Sequence, residues 1–416
     1  MQKKAFIQID AGLIKYNLCN LKQLVFEVTD ACNLKCKYCA FSDLYTGYDT
    51  RKNNFLDLNA AKTIIDYLAE FWKKHMSDLF PRRLNIGFYG GEPLLNFNFI
   101  QEIITYVEKK QIAGRNLSYS MTTNGTFLDK YIDYLVEKDF ALLISLDGDR
   151  KGQSLRKYHN GKESFDDVYA NTKMIQERYP SYFQTRVSFN AVLHSMNDIP
   201  SLYKFFKTHF GKIPRISPLT DTGINKEYLD VYEDLCSDYN ESFYKLTDAD
   251  RVELETSNLF SSPRTSSLYK SYEQLSGNVF YDFHELLIDS GEHGWLPTGT
   301  CTPFSKKMFI TVNKKILQCE RIDHCHLLGR IEDKQVELNL DKIVTYYNQA
   351  IYKYIHQCTS CRINQRCVKC IYRIDDFETS TSCDSYSKGK FPEINLKLLK
   401  ENPRLLTEIY NSKTVR

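Results

Sequence analysis

A chain of 416 residues corresponds to roughly two to three domains and can bury a core without disulfide staples. Its 55 Lys and Arg against 52 Asp and Glu leave a formal charge of +3, too balanced for a nucleic-acid footprint, and 42% hydrophobic content excludes a disordered chain. A mean hydropathy of −0.44, no apolar run approaching ~18 residues, and a start (Met1-Gln2-Lys3-Lys4-Ala5-Phe6) without a signal-peptide core indicate a cytoplasmic protein with no membrane span.

Residues 1–23 form an N-terminal extension. From 24 to 219, short β-rich runs alternate with helix-period segments, the strands being expected at 24–29, 84–89, 117–122, 141–146, 186–192 and 213–218. Between them lie amphipathic stretches such as Ile64, Ile65, Leu68 and Phe71 behind a cap at Asp57, then Ile100, Ile103, Ile104 and Val107. Six such units imply parallel strands with right-handed crossovers, in a doubly wound sheet or an incomplete barrel. Polar or glycine-containing turns follow the strands at Asp30, at Gly90-Gly91-Glu92-Pro93, at Thr123-Asn124-Gly125 and at Asp147-Gly148. Chemistry spread over many strand ends favours the barrel, since a doubly wound sheet concentrates its site at one switch point. The expected fold is therefore α/β, a partial (β/α)6 TIM-like barrel. A helical, charged, tyrosine-rich bridging region at 220–300 follows, with a loop at Ser261-Ser262-Pro263-Arg264. A small cysteine-rich domain at 301–390 begins with a hairpin across 308–319 that turns at Asn313-Lys314, and residues 391–416 form a helical tail.

Thirteen cysteines, an odd number without an export signal, argue for thiolates that hold metal rather than for disulfides. Cys19 and Cys236 stand alone and read as ordinary buried thiols. Cys32, Cys36 and Cys39 put three thiols on one tight loop directly after the first strand. Such a set can hold three irons of a [4Fe-4S] cube and leave the fourth open to an exogenous ligand; the alternative is zinc, which favours paired spacings and a fourth ligand. The second group is Cys301, Cys319, Cys325, Cys358, Cys361, Cys367, Cys370 and Cys383. Eight thiolates match two four-iron clusters, whereas the five-residue gap between the Cys-x2-Cys pairs is short for a zinc ribbon. His324 and His326, flanking Cys325, read as solvated loop residues. Glu27 and Asp30 are conceivable bases beside the cysteine loop, but strand-end carboxylates more often cap turns, and no catalytic base is named.

The Cys-x3-Cys-x2-Cys loop, with Tyr38 just before its last cysteine, resembles the signature of the radical S-adenosylmethionine (radical SAM) enzymes. That resemblance implies that the open iron chelates S-adenosylmethionine, which one electron cleaves to a 5′-deoxyadenosyl radical. Gly90-Gly91-Glu92-Pro93 resembles the segment that receives the methionine amino group, with Glu92 its charged partner. Thr123-Asn124-Gly125 and Ser145-Leu146-Asp147-Gly148 resemble the turns that place ribose and carboxylate, and Arg156 stands where a carboxylate-binding arginine is often found. The implied cofactor set is Tyr38, Gly90, Gly91, Glu92, Pro93, Asn124, Ser145 and Arg156. The second cysteine group resembles the SPASM extension with its two auxiliary clusters. By that resemblance Cys358, Cys361, Cys367 and Cys383 bind the distal cluster, and Cys301, Cys319 and Cys370 bind the nearer one; Cys325, six residues beyond Cys319, is expected to close the nearer cluster, the alternative being an iron left open to a substrate cysteine. The chain departs from the pattern at Lys314, where a glycine is usual, in the two-residue spacing between Cys367 and Cys370, and in having no cysteine between Cys236 and Cys301.

The resemblance implies a peptide maturase with S-adenosylmethionine and three [4Fe-4S] clusters, forming a thioether, carbon-carbon or carbon-oxygen cross-link in a ribosomally made precursor peptide. The alternatives are an anaerobic sulfatase-maturating enzyme that forms formylglycine, a peptide epimerase, or, in a different class, a non-catalytic electron-transfer protein. The implied partners are the precursor peptide and a reductant such as flavodoxin or ferredoxin; neither nucleic acid nor membrane is expected. The 23 residues before Leu24 leave no room for a winged-helix leader-binding domain, so the leader is expected to bind a separate partner or the 220–300 region as an added strand.

Overall fold

The computed structural model describes residues 8–75, 82–110, 112, 115–255, 298–362, 367, 369–374, 377 and 379–386. Two compact units share the chain: Cys19–Arg251 with Lys306–Leu338, and Met1–Leu18 with Val252–Ser305 and Asn339–Arg416. The strands of the first unit are β1 (Gln23–Thr29), β2 (Leu34–Cys36), β3 (Arg82–Gly90), β4 (Arg115–Thr123), β5 (Ala141–Ser145), β6 (Arg156–Tyr158), β7 (Val187–Leu193) and β8 (Arg215–Pro218), then β9 (Lys307–Ile310), β10 (Lys315–Leu317), β11 (Gly329–Glu332) and β12 (Gln335–Glu337).

The six long strands β1-β3-β4-β5-β7-β8 lie side by side in chain order, every pair parallel. An order that never reverses has no switch point, so the strands wind one way as in a barrel. In the same sheet the far side of β1 pairs in parallel with β9, and β9 to β12 continue as an antiparallel meander. The hairpin expected across 308–319 thus forms, turning at Asn313 and Lys314, and Lys314 takes a φ of +61°. It groups with the barrel strands, so the cysteine-rich span of the sequence is divided between the two units.

Hydrophobic periodicity sets each layer. Leu24, Phe26 and Val28 alternate along β1 and are buried, with Phe26 6.5 Å from Phe88 and 6.2 Å from Phe99 between ring centroids. The helix Leu58–His75 starts where Asp57 Oδ1 accepts the Ala60 N–H at 2.8 Å. It buries Ile64, Ile65 and Leu68, and Trp72 rather than Phe71 completes the face, continuing the four-residue row of Ala60, Ile64 and Leu68. The helix Ile199–Phe210 is bounded by an Asp198–Ser201 capping box and by Gly211 at φ +63°. Residues 220–255 are helical at Leu229–Leu235, Tyr239–Tyr244 and Asp248–Glu255. The rest of the bridging region to 297, with its loop at 261–264, and the C-terminal tail lie outside the described residues.

In the second unit the helix Leu340–Ser360 is capped by Asn339, which accepts the Lys342 N–H at 3.0 Å, and it buries Tyr347 and Tyr354. Asn348 holds both backbone groups of Ile9, and Asn17 donates to Thr302 Oγ1 and to the Pro303 carbonyl. Among the described residues no helix is long and apolar enough to cross a membrane.

Phe189 on β7 is 0% exposed, with Phe206 and Phe210 at 4.8 and 4.9 Å between centroids. Phe189→Ala should therefore cost about 3–5 kcal/mol in urea unfolding, and Phe189→Leu less than about 2. Equal losses for the two variants would show that the aromatic cluster is not close-packed.

Candidate functional site

The cysteine loop leaves β1 at Thr29 and is closed at its base by one carboxylate. Asp30 accepts the N–H groups of Lys52 and Asn54 at 3.1 and 2.6 Å, and its own N–H donates to the Asn54 carbonyl. Leu56 then donates to Val28, returning the chain to the strand end. Both Asp30 oxygens are thus committed to a turn. Glu27 accepts the Val312 N–H at 2.9 Å from the hairpin turn. Within the loop, β2 pairs antiparallel with β6, setting Cys36 opposite Arg156, and Cys39 donates to the Cys36 carbonyl at 3.2 Å. A ring nitrogen of His159 lies 2.9 Å from the Cys32 carbonyl. Anchors from several strand ends therefore hold three thiols that are close in sequence.

Gly90-Gly91-Glu92-Pro93 packs directly on this loop. Gly91 donates to the Thr29 carbonyl at 2.8 Å and Glu92 to the Ala31 carbonyl at 2.9 Å. A Cβ on Gly90, whose φ is +135°, would sit 2.2 Å from the Thr29 oxygen, and one on Gly91 1.9 Å from the Ala31 oxygen. Only glycine permits that approach. Glu92 is 0% exposed and caps the turn Pro93–Asn96 by accepting the Leu94 N–H at 3.1 Å. It also accepts Thr123 Oγ1 at 2.8 Å and the Asn124 N–H at 2.7 Å. Asn124 in turn donates to Asn33 Oδ1 at 2.8 Å and lies 3.8 Å from the Cys32 sulfur. One buried carboxyl therefore joins the second and third strand ends, and Asn124 passes that link to the cysteine loop.

A second hub stands just beyond β5, the fourth of the six parallel strands. Asp147, 0% exposed, receives Arg156 Nε at 2.7 Å and Nη2 at 3.2 Å, the Val192 N–H at 2.8 Å and the Tyr38 hydroxyl. Buried His194 lies 3.6 Å from Asp147 and 5.3 Å, ring to ring, from Tyr38. Burial opposes the Asp147 charge, but Arg156 and His194 outweigh it and hold the carboxyl well below the usual range. Arg156, read from sequence as a carboxylate binder, thus has a carboxylate of the chain itself in its grip. Ser145 ends β5 and pairs in register with Asn190 of β7. Tyr38, Glu92, Asn124 and Arg156 are each tied to the cysteine loop or its flanks, while Asp147 and His194 were not singled out as site residues; the Ser-Leu-Asp-Gly turn carried the signal for the first, and no pattern marked the second.

The thiols fit an iron-sulfur cluster. Burial, with carboxyl and thiol neighbours, pushes Cys32 up to about 11 and Cys36 up to about 12, so a proton is displaced from them only when a cation takes its place. Among the described residues no three His, Cys, Asp or Glu side chains are gathered around a single ion. Three thiols from one loop suit a cube with one open corner better than zinc, which draws four ligands around one point. In the second unit, Cys358 is pushed up to about 12 by burial, then by Cys367, Cys383 and Cys361, while burial and Cys301 raise Cys370 to about 11. In the first unit Cys319 is half-buried and Cys325 exposed.

Two sequence readings are corrected. Cys19 is half-buried and Cys236 exposed, because both fall at helix ends rather than on a core face. His324 and His326 are buried, not solvated: the His324 N–H donates to the Gly47 carbonyl at 2.8 Å, and its ring lies 3.3 Å from Asp49 and packs on Tyr48.

The radical SAM superfamily model matches residues 26–205. An uncharacterized protein of Methanocaldococcus jannaschii is 33% identical over 189 residues, which cover 45% of this chain and 58% of that protein. The cysteine-type anaerobic sulfatase-maturating enzyme of Clostridium novyi is 29% identical over 210 residues, 49% of this chain and 53% of that enzyme. The chain spans about half the length of these relatives. Across nearly its whole length the fold matches a solved structure described as native anSMEcpe with bound AdoMet and Cp18Cys peptide, with a TM-score of 0.58 at 15% identity, covering 94% of this chain and 99% of that one. The match to the radical SAM superfamily thus spans residues 26–205, which carry the cysteine loop and most of the partial barrel, and a cysteine-rich region follows. By sequence the chain is related to the anaerobic sulfatase-maturating enzymes.

Burial pushes Glu27 and Glu92 each up to about 7, for Glu92 against three donors that favour its charge. Their folded values exceed the unfolded one, so between about pH 4.5 and 7 the folded state keeps protons that the unfolded chain has released, and stability falls as pH rises through that window. Glu92→Gln and Glu27→Gln should each flatten the fall between pH 5 and pH 8, by at most about 3 kcal/mol in denaturant titrations. A wild type that gains stability across the window would show both carboxyls to be ionised.

Proposed function

We propose that Cys32, Cys36 and Cys39 hold a [4Fe-4S] cluster with one open iron, that S-adenosylmethionine binds there, and that the protein oxidises a residue within a ribosomally made precursor peptide. The observation that carries this reading is the joining of the three-thiol loop to the second and third strand ends through Glu92 and Asn124, which links the segments such a cofactor would touch. When bound, cluster and cofactor supply a 5′-deoxyadenosyl radical by one-electron reduction.

The chain's own residues position that chemistry. Gly90 and Gly91 bring bare backbone against the loop, and Pro93 opens a turn whose N-terminal cap is Glu92. Tyr38 and Arg156 are locked on Asp147, which fixes the wall beside Cys36. Asn124 sets Cys32, and Ser145 stands at the neighbouring strand end. Cys358, Cys361, Cys367 and Cys383 hold an auxiliary cluster, and Cys301 and Cys370 belong to a second, both able to accept electrons left by a two-electron oxidation. The reading favours a thioether, carbon-carbon or carbon-oxygen cross-link, with a flavodoxin- or ferredoxin-class reductant and a separate leader-binding partner. A second reading, formylglycine formation, is supported by the likeness to the Clostridium novyi enzyme.

Reconstituted protein given reductant and S-adenosylmethionine should release 5′-deoxyadenosine. The triple variant Cys32→Ala, Cys36→Ala, Cys39→Ala should release none while its iron falls from roughly twelve to roughly eight atoms per chain. Deoxyadenosine from the triple variant would sink the assignment. With candidate peptides, loss of two hydrogens without an aldehyde supports cross-linking, whereas a hydrazide-reactive aldehyde at a cysteine or serine replaces it with the second reading.

A further inference from the structure

Arg51 lies on the return of the cysteine loop, one residue before the pair of backbone N–H groups that Asp30 anchors. Its guanidinium carbon is 3.9 Å from the centroid of Phe41, two residues beyond Cys39, so the ring holds the planar group in place. The Nε and Nη2 atoms of Arg51 are buried and have no hydrogen-bond partner among the described residues. Buried charged donors left without an acceptor are strongly disfavoured, so a fold that keeps them is built to receive an anion.

The carboxyls of this neighbourhood do not supply it. Asp30 has both oxygens on backbone N–H groups, and Glu27 accepts Val312. Asp49 is engaged with Lys315, Asn313 and His324. The Phe41 ring that seats Arg51 is two residues beyond Cys39, and the neighbouring Lys52 and Asn54 N–H groups are held by Asp30 at the base of the same loop, so the charge stands against the cysteine loop.

We propose that Arg51 is the counter-cation of the cluster held by Cys32, Cys36 and Cys39, with its two unpaired donors available to sulfur and its charge setting how readily the cluster is reduced. This rests on the cluster-binding reading of that loop. In the reduction an external flavodoxin- or ferredoxin-class donor gives up one electron, the cluster gains one negative charge, and no bond forms or breaks. A fixed positive charge beside the cluster stabilises the more negative, reduced form. Arg51 is thus a positioning and tuning residue and not a catalytic one.

The test uses the full-length chain, anaerobically reconstituted, as wild type, Arg51→Gln and Arg51→Lys. Iron and sulfide are counted, and the spin-resonance signal that changes on adding S-adenosylmethionine is followed in a redox titration, which separates this cluster from the auxiliary ones. In Arg51→Gln the ratio of reduced to oxidised cluster at a fixed potential should fall about tenfold, equivalent to ~59 mV for one electron. Arg51→Lys, which keeps the charge but loses the planar donors, should fall between the two. If the Gln variant retains no cluster, the Lys variant decides, a lowered potential supporting the assignment and an unchanged one overturning it. A Gln variant with full iron and an unchanged midpoint overturns it, and a weakened affinity for S-adenosylmethionine with that same midpoint reassigns the arginine to the cofactor's carboxylate. A wild type with no signal responsive to S-adenosylmethionine instead removes the cluster-binding reading itself.

Discussion

The site depends on one close approach of backbone to backbone. Where β1 and β3 end, the Gly91 and Glu92 N–H groups reach the Thr29 and Ala31 carbonyls, and no side chain fits between them. Two strand ends that are separate in sequence become one surface, and the cysteine loop starts from that surface. Glu92 then continues the connection inward. Its carboxyl serves three donors from two different segments, so the position of the β4 turn depends on a group far from any solvent. Loss of the approach would free the loop, the turn and the cap together.

Electrostatics around the loop separate into two regimes. Asp147 is buried with a full cationic partner, and Arg156 keeps it ionised; such a pair stabilises little by itself but is costly to break from one side. Glu27 and Glu92 are buried with neutral donors, and for them burial prevails and the proton is held more tightly. Cys32 and Cys36 stand in the second regime, apart from the pull of Arg156 on Cys36 and of Arg51 on Cys32. A protein that surrounds thiols with burial and little compensating charge makes them poor nucleophiles and good ligands, because a metal can replace the proton without leaving a bare anion.

Much of the barrel was readable from residue patterns. All six parallel strands appear within three residues of their expected starts, since alternating and continuous apolar runs between glycine and asparagine turns leave few other conformations. The turn chemistry at Gly90-Gly91 and at Gly125 was equally legible, because positive φ and close approach restrict the residue type. The reading failed where it inferred burial from residue class. Histidines in a loop read as solvated by residue class, yet His324 is covered because a second loop folds over it through Gly47 and Asp49. Lone cysteines read as core by residue class, yet Cys19 and Cys236 both lie at helix ends, where packing is incomplete.

By itself the sequence determined the number and spacing of the thiols, the strand-helix period and the turns that the chemistry occupies, because each of these is specified within a few residues. Tertiary structure alone decided that the hairpin of β9 and β10 docks beside β1, where the Val312 N–H reaches Glu27 across 285 residues of chain. It also decided that Asp147 gathers Tyr38, Arg156 and His194, and that Arg51 keeps two buried donors without a partner among the described residues. These outcomes turn on which surfaces meet once the chain has collapsed, and a pattern confined to neighbouring residues carries no record of partners hundreds of positions away.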